Sequence, residues 1–178
     1  MEFMEVATAR RSIRSYLDKP VEEEKLTKVL EIARLAPSWG NKQCTRYVIV
    51  KDKTKISELA GTFAGWFKQA PVVIVACADP KDSGFYNGMS YYLVDIGISV
   101  QQLVLAATDL GLGSCWIGGF DENKVKKALE IPENIKVVAM TPLGYPAEKE
   151  GLKTKLMKSF MGTEKRKDLS EIVHNEKW

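Results

Sequence analysis

Three guanidinium groups and one hydroxyl lie within five residues near the start of the chain, in the run Arg10–Arg14. Guanidinium groups bind a phosphate through paired hydrogen bonds, and a serine hydroxyl adds another donor. If the run is extended, Ser12 and Arg14 point to one side and Ile13 to the other, because side chains alternate along a strand. Neighbouring side chains would then meet one phosphate and one further anionic centre. The alternative is a solvated basic turn that forms ion pairs with the acidic run Glu22–Glu24.

A polar loop offers a second set of ligand groups, in the run Pro37–Gln43 between a predicted helix and a predicted strand. Ser38 and Asn41 carry hydroxyl and amide groups that suit a heteroaromatic edge or a polyol, and Trp39 could stack on a flat ring. Loops held by rigid elements often contact ligands. Taken by itself, the run is more typical of an ordinary capped loop whose tryptophan fills the core.

Two further runs have weaker ligand-binding features. Gly118 and Gly119 follow a predicted strand, and their lack of side chains lets the backbone approach a flat ligand. The alternative there is a tight turn. The basic triplet Lys165–Lys167 lies near the end of the chain, where a solvated tail is the usual outcome for a charge run.

Side-chain catalysts and metal ligands are sparse in this sequence. The cysteines Cys44, Cys77 and Cys115 are far apart and form no CxxC pair, which disfavours a zinc site or a disulfide framework. The single histidine, His174, lies near the chain end, a poor position for a Ser-His-Asp triad that requires an imidazole fixed by packing. We therefore expect no metal and no side-chain nucleophile.

Composition favours one soluble intracellular domain. The chain has 178 residues, 45% of them hydrophobic, which is enough for a substantial core. The net charge of +3 lacks the basic excess of a nucleic-acid binder. We find no signal-peptide pattern at the N-terminus and no apolar run of the roughly 18 residues that span a membrane.

Hydrophobic periodicity predicts helices that alternate irregularly with strands, which favours a sheet covered by helices. The predicted helices are Phe3–Ala9, a segment from Glu22 to about Ala36, Lys53–Ala64, Tyr92–Leu110 and Asn123–Leu129, the last of these capped by Asp121. The predicted strands are Arg46–Val50, Val72–Ala78, Ser114–Ile117 and Val137–Thr141, with the last broken at Pro142.

Taken in order, these runs resemble the nitroreductase family of flavin enzymes over nearly the whole chain. RRSIRSY is similar to the family's R-R/H-S-x-R/K segment, APSWGNKQ to its A-P-S-S-x-N-x-Q loop, and GLGSCWIGGF to its G-L-G-S-x-W-I-G-G segment. LGYP resembles its G-Y-P turn, and KRKDLSEIVHNEKW resembles a family ending of basic residues followed by L-E-E-I-V-H. Each motif alone is weak evidence for the family, but the ordered set of motifs is specific.

The resemblance implies an α+β fold, a three-layer sandwich with a central mixed sheet flanked by helices, in an intertwined homodimer. It implies a single domain over residues 1–178, with 168–178 as an arm exchanged between subunits, and two FMN molecules at the interface. No catalytic side chain is implied, because the flavin carries the chemistry and Arg14 assists electrostatically near its N1/O2 edge. The residues implied to bind FMN are Arg10, Arg11, Ser12, Arg14, Pro37, Ser38, Trp39, Asn41, Ile117, Gly118, Gly119, Arg166 and Lys167.

The chain departs from the family pattern in three regions. Trp39 stands where the family often has a small residue. Contacts that the family makes with the ring edge from the region of Gly65–Lys68 have no evident counterpart. The segment Asp79–Tyr91, where larger members build a substrate-covering helix, is short and holds Phe85 and Tyr86. These two aromatic residues either form a small lid over the substrate or pack on the surface.

The implied activity is that of a cytoplasmic flavoprotein. Such an oxidoreductase takes hydride from NADH or NADPH and passes it, in a ping-pong sequence, to a nitroaromatic, a quinone or a similar small-molecule acceptor. Two alternatives keep the flavin: a carrier or sensor without turnover, and a specialised flavin dehydrogenase or dehalogenase on the same fold. A third is a basic anion-binding protein without flavin. We expect neither a nucleic-acid nor a membrane partner.

Overall fold

A computed structural model of the chain describes residues 1–60, 65–147 and 166–178. In these ranges the α-helices are α1 (Phe3–Ala9), α2 (Glu23–Arg34), α3 (Lys53–Ala60), α4 (Tyr91–Asp109) and α5 (Glu122–Leu129). The strands are β1 (Thr45–Val50), β2 (Val72–Ala78), β3 (Phe85–Tyr86), β4 (Met89–Ser90), β5 (Gly113–Ser114) and β6 (Lys136–Gly144). The chain divides into two compact units between residues 148 and 149, and the main sheet belongs to the first.

β2 is one of the two inner strands of the main sheet, and every residue in it is buried. It follows Pro71 and consists of β-branched and small apolar residues, a composition typical of a strand covered on both faces. β1 and β6 pair with β2 antiparallel on its two sides, and β5 pairs antiparallel with the far edge of β6. Ser12 adds a parallel bridge to Ser114 in β5, so the sheet is mixed at this edge.

Helices cover both faces of this sheet, which gives the three layers expected from the sequence. Alternate residues of β2 enter two separate apolar clusters, with Ile74 in one and Val75 in the other. The first cluster contains buried residues of α2 and α4, and the second contains buried residues of α3 and α5. Because side chains alternate along a strand, β2 contributes to both clusters at once.

The helix α4 is the main core helix. The helix has 19 residues, and by length and composition alone it is long and apolar enough to cross a membrane. In the structure it packs against α2 and the sheet, and its residues Ile96, Val100 and Leu103 are fully buried. It also buries two polar side chains, Asp95 and Ser99, and both are hydrogen-bonded to other elements. The long apolar helix predicted from the sequence is therefore confirmed, with polar groups built into its buried face.

The prediction that the last strand breaks at Pro142 is wrong, because β6 continues to Gly144 and Pro142 pairs with Val73. Met140 donates its N–H to Ile117, on the side away from β2. Main-chain groups two residues apart along a strand face the same way, so the nitrogen of Pro142 also faces away from β2. The N–H that proline lacks is therefore not needed for pairing with β2.

Other boundaries differ by a few residues. The predicted strand Ser114–Ile117 is reduced to the two-residue β5 and a separate bridge between Ile117 and Met140. The predicted helix Lys53–Ala64 is confirmed as far as Ala60, and its remaining residues lie outside the described ranges. The predicted bounds of α1 and β2 are confirmed.

Candidate functional site

The run Arg10–Tyr16, the arginine segment, forms an extended edge beside β5. Its main chain is paired: Ile13 donates its N–H to the Ser114 carbonyl at 2.9 Å. The side chain of Ile13 lies over Gly113, where a Cβ would come within 2.7 Å of Ile13 Cγ1. The extended conformation considered in the sequence analysis is therefore confirmed, and a glycine in β5 makes room for it.

Tyr16 closes the arginine segment against β6. Its hydroxyl donates to the Ile13 carbonyl at 2.7 Å, and the Pro142 carbonyl lies 3.3 Å away as a second acceptor. The residue is only 4% exposed. Burial raises the pKa of Tyr16 well above its usual value, so the phenol remains a donor. The end of the segment is thus fixed independently of any ligand.

Three side chains of the arginine segment influence the buried thiol of Cys115. Burial raises the pKa of this thiol, while the charge of Arg14, a hydrogen bond with Ser12 and the charge of Arg10 oppose that rise. The side chain of Ile13 points toward Gly113 in β5. In an extended segment the side chains of Ser12 and Arg14 point to the opposite side, because side chains alternate along a strand.

The guanidinium groups of this segment have no acidic partner in the part of the chain that the structure describes. There, none of Arg10, Arg11 and Arg14 lies within 4.0 Å of a carboxylate. The glutamates of the acidic run use other partners, namely Lys19 and Tyr145 for Glu22, Lys51 for Glu23 and Lys28 for Glu24. The ion pairs of the solvated-turn alternative are therefore not formed among the described residues.

Arg11 differs from the other two arginines. Its Nη1 donates to the carbonyl oxygens of Thr8 and Arg10, where α1 ends, and the side chain is exposed. Basic side chains at this end of a helix satisfy carbonyls that have no partner within the helix. Arg11 thus stabilises the turn that leads into the arginine segment, and its contact with a phosphate stays a prediction.

The polar loop Pro37–Gln43 is held by a carboxyl group from α4. Asp95 is 2% exposed and accepts a hydrogen bond from the main-chain N–H of Trp39 at 2.8 Å. It also accepts one from the thiol of Cys44 at 3.4 Å. Burial raises the pKa of that thiol, and the hydrogen bond with Asp95 raises it further, so the thiol remains a donor. Asp95 was not predicted from the sequence, because an acid inside an apolar helix gives no local signal of its partners.

The backbone of the polar loop turns sharply. Gly40 and Asn41 adopt left-handed conformations with φ of 54° and 55°, which glycine and asparagine tolerate best. Ser38 Oγ accepts a hydrogen bond from the N–H of Gln43 at 2.9 Å, closing the loop on itself. The side chain of Asn41 is exposed, as is the ring of Pro37. The loop is thus rigidly supported, and its contact with a ligand stays a prediction.

Trp39 packs against its own chain at the edge of this loop. Its ring centroid lies 5.6 Å from that of Tyr91, and the indole covers Gly84, where a Cβ would come within 2.2 Å of the ring. The side chain is still 39% exposed. Trp39 therefore does not fill the main core, and stacking of its free face on a flavin stays a prediction.

Gly118 and Gly119 leave open space after Ile117. Ile117 is 8% exposed and exchanges two main-chain hydrogen bonds with Met140, at 2.9 and 3.0 Å. A Cβ at Gly119 would meet nothing within 4 Å, and one at Gly118 would meet only Trp116 Nε1, at 3.9 Å. The backbone is therefore accessible directly beside a strand that is fixed in the sheet, and its contact with a flavin stays a prediction.

Trp66 is a second residue that the sequence analysis missed. The guanidinium carbon of Arg14 lies 5.9 Å from the centroid of its ring. Trp66 belongs to the 3-10 turn Gly65–Gln69 and is partly buried against the apolar cluster that contains Phe67. No pattern in the local sequence signals a contact with a segment so far away in the chain.

Phe85 and Tyr86 lie on an exposed hairpin formed by β3 and β4. Asn87 and Gly88 connect the strands with φ of 50° and 76°, as a two-residue hairpin turn requires. Phe85 is 71% exposed and Tyr86 is 62% exposed. The hairpin therefore offers a free aromatic surface, and its role over a substrate stays a prediction.

Arg166 and Lys167 lie in the second compact unit, at the start of its described residues, and both are exposed. A short 3-10 turn, Leu169–Glu171, follows them and is closed by reciprocal capping bonds between Asp168 and Glu171. The contact of Arg166 and Lys167 with a phosphate stays a prediction. Lys165 lies outside the described residues.

Comparison with known proteins identifies the family. Residues 2–178 match a family model described as "Putative TM nitroreductase". The chain is 36% identical over 183 residues to an Archaeoglobus fulgidus protein named "Putative NADH dehydrogenase/NAD(P)H nitroreductase", with 99% of each chain covered. It is 35% identical over 175 residues to the Bacillus subtilis FMN reductase (NAD(P)H), with 87% of this chain and 70% of that one covered.

A solved structure shows the same fold. The crystal structure of a nitroreductase family protein from Clostridium difficile 630 matches this chain with a TM-score of 0.84 at 32% identity, and the match covers 100% of both chains. The chain belongs to the nitroreductase family. Its α+β sandwich is the fold of that family, as the motifs predicted.

Proposed function

We propose that this protein is a cytoplasmic homodimer that reduces nitroaromatic compounds, quinones or similar small electron acceptors with hydride from NADH or NADPH, in a ping-pong sequence. The enzyme class follows from the family: the chain is an NAD(P)H-dependent flavin oxidoreductase, and FMN is its cofactor. The observation that carries the proposal is the paired arginine segment, whose guanidinium groups at Arg10, Arg11 and Arg14 lack a carboxylate partner in the described part of the chain.

A phosphate suits the donors at one end of the arginine segment. Arg10 supplies a charged fork and Ser12 a neutral hydroxyl, and the backbone that carries them is paired with β5 before a ligand arrives. A ligand anion would take the position that carboxylates occupy around arginines elsewhere on the surface. We propose that Arg11, Arg166 and Lys167 add further charge around this phosphate.

Arg14 suits the redox-active end of the same cofactor. When bound, FMN supplies a ring that accepts and returns hydride, a reaction that amino-acid side chains do not perform. Arg14 would hold a fixed positive charge at the N1/O2 edge, where negative charge develops on reduction. Because the main chain of the arginine segment is already paired, its backbone need not rearrange when that charge appears.

Two other groups of residues complete the proposed site. The polar loop would reach the cofactor from the partner subunit, and the open backbone after β5 would line the N5 and O4 edge. The exposed aromatic hairpin would cover the substrate. The residues in these roles are Pro37, Ser38, Trp39 and Asn41 in the loop, Ile117, Gly118 and Gly119 after the strand, and Phe85 and Tyr86 in the hairpin.

The homodimer is proposed from exposed apolar surface. On α4, Leu93 is 51% exposed, Val94 39% and Ile98 37%. A core helix that also presents an apolar outer face is typical of a subunit interface. We further propose that residues 168–178 form an arm exchanged between subunits.

Deletion of residues 169–178 tests the arm. The dimer should dissociate or weaken on size-exclusion chromatography, because the subunits would lose the contacts of the arm. Deletion of residues 177–178 alone is the control. A dimer that survives the longer deletion unchanged would contradict the exchanged arm and leave the cofactor assignment untouched.

Spectroscopy of the purified protein tests the function. Oxidised flavin absorbance, its loss on adding NADH or NADPH, and its return on adding a nitroaromatic or a quinone are all expected. A colourless protein that takes up no FMN would favour an anion-binding protein. Bound FMN that neither nucleotide bleaches would favour a carrier or sensor, and bleaching without recovery by these acceptors would favour a specialised dehydrogenase or dehalogenase.

A further inference from the structure

The contact between Trp66 and Arg14 joins two distant parts of the chain. Arg14 comes from the arginine segment at the edge of the sheet, and Trp66 from the turn Gly65–Gln69 that leads into β2. The guanidinium carbon lies 5.9 Å from the indole centroid. That is within the range of about 6 Å over which a cation is attracted to an aromatic face.

We propose that Trp66 is a positioning residue for Arg14: the indole face holds the guanidinium in one place and thereby sets how strongly it acts on the flavin edge. The inference rests on the proposed function, because Trp66 acts only through the contact that Arg14 makes with FMN.

Trp66 can position another side chain because it is itself fixed. Its neighbour Phe67 is fully buried and meets the indole edge to face, with the ring centroids 5.5 Å apart. The indole also packs against the apolar cluster that contains Ile117, a proposed flavin contact. An aromatic side chain anchored in this way presents one defined face, because few rotamers remain open to it.

Arg14 has little else to hold it. Its Nη1 is 3.4 Å from the Ser12 carbonyl, a long hydrogen bond, and in the described ranges no carboxylate lies within 4.0 Å. A long, rotamer-rich side chain loses entropy when it is ordered against a ligand. Contact with an indole removes part of that freedom before the ligand arrives.

An aromatic anchor also leaves Arg14 with its free N–H donors and its uncompensated charge, both of which a carboxylate partner would reduce. A carboxylate would fix Arg14 as firmly, but it would occupy N–H donors and offset the positive charge. The indole attracts the guanidinium through the face of its ring, which leaves the charge uncompensated and the donors free for an anion. The arrangement therefore suits an arginine that must act on a ligand carrying developing negative charge.

Two variants separate the aromatic face from the bulk of the side chain. Trp66→Leu removes the face, and Trp66→Phe keeps a smaller one. We expect the Kd for FMN to rise about three- to tenfold in Trp66→Leu, as loss of a partly buried cation–π contact predicts, and to change less in Trp66→Phe. The midpoint potential of the bound flavin should become more negative in Trp66→Leu, because a less fixed cation favours the reduced form less.

A double-mutant cycle decides whether the effect passes through Arg14. In an Arg14→Leu background, Trp66→Leu should change the Kd for FMN and the midpoint potential much less than it does in the wild-type background. Equal changes in both backgrounds would overturn the proposal, because Trp66 would then act on FMN or on the fold without Arg14. Thermal unfolding of each variant without FMN monitors the fold, and Trp66→Met replaces Trp66→Leu if the leucine variant does not fold.

The outcomes also separate this proposal from the proposed function. If the wild-type protein binds and cycles FMN while both quantities are unchanged in Trp66→Leu, the role of Trp66 is overturned and the oxidoreductase assignment stands. If the wild-type protein binds no FMN, the proposed function fails and the role of Trp66 fails with it.

Discussion

The arginine segment and the polar loop both contribute to the proposed flavin site, but the chain holds them in different ways. The arginine segment is held by its main chain, through the pairing of Ser12 and Ile13 with Ser114. The polar loop is held by a side chain from another element, the carboxyl group of Asp95, which accepts from the N–H of Trp39. One region is fixed by strand pairing and the other by a single buried acceptor.

In the arginine segment, different groups serve folding and ligand binding. In the polar loop, folding and ligand binding depend on the same support. In the arginine segment the main chain supports the fold, so the guanidinium groups are left for a ligand. In the polar loop a single side chain, Asp95, supports the backbone that carries the ligand groups. Substitutions of the guanidinium side chains should therefore change FMN affinity alone in the first region, and substitution of Asp95 should change stability together with affinity in the second.

Asp95→Ala should have the largest effect. It leaves the N–H of Trp39 and the thiol of Cys44 without their acceptor and opens a small cavity, at a cost of about 3 kcal/mol in the free energy of unfolding. Urea denaturation measures that loss. Asp95→Asn, which keeps an acceptor oxygen, should lose less. Asp82→Ala, at an exposed carboxylate, is the control. If Asp95→Ala and Asp82→Ala are equally stable, Asp95 does not support the loop.

Arg10→Ala should act on binding alone. Loss of a charged hydrogen-bond donor to the phosphate costs about 2 kcal/mol, so the Kd for FMN should rise roughly thirtyfold. The free energy of unfolding should stay within about 0.5 kcal/mol of the wild-type value, since no described carboxylate depends on this side chain. Fluorescence titration of the apoprotein measures the Kd.

Lys28→Ala is the matched control for Arg10→Ala. It removes a charge of the same sign whose ammonium pairs with Glu24 at 2.7 Å, and it should leave the Kd unchanged. If Arg10→Ala leaves FMN affinity unchanged as well, Arg10 does not belong to the site.

Gly113→Ala should move the arginine segment through its main chain. The new methyl group would lie 2.7 to 2.8 Å from three carbons of Ile13, so the segment must shift away from β5. Overpacking of this kind costs about 1.5 kcal/mol in the free energy of unfolding, and FMN affinity should fall with it. A stable variant with weaker FMN binding would show that the segment can move without unfolding.

The two regions also differ in how far the sequence predicts them. The extended arginine segment follows from alternation: Ser12 and Arg14 share one side because they are two residues apart. The helices, the buried strand β2 and the family follow from periodicity and motif order. These features depend on residues that are close together in the sequence, so the sequence pattern predicts them.

The contacts that depend on tertiary packing were not predictable in the same way. Asp95 and Trp39 are 56 residues apart, and the indole of Trp66 meets Arg14 across the fold. An acid inside an apolar helix, or a tryptophan before a buried strand, is equally compatible with many partners. The continuation of β6 through Pro142 belongs to the same class, because it depends on which neighbouring strand the missing N–H would face.

Ser38→Ala should have the smallest effect and tests whether Asp95 alone holds the polar loop. Ser38 Oγ accepts the N–H of Gln43 at 2.9 Å, at a partly exposed position where water can replace the lost acceptor. We expect a loss of about 1 kcal/mol or less in the free energy of unfolding. Because Asp95 still holds the N–H of Trp39, the indole should keep its place on Gly84, and the tryptophan fluorescence spectrum should not shift. A shift as large as that of Asp95→Ala would mean that the loop is fixed by its own internal bond as much as by the buried acid. The two regions would then differ in another way: a hydrogen bond within the loop would hold the polar loop, while pairing with a strand holds the arginine segment. Support by the side chain of Asp95 would no longer be the difference between them.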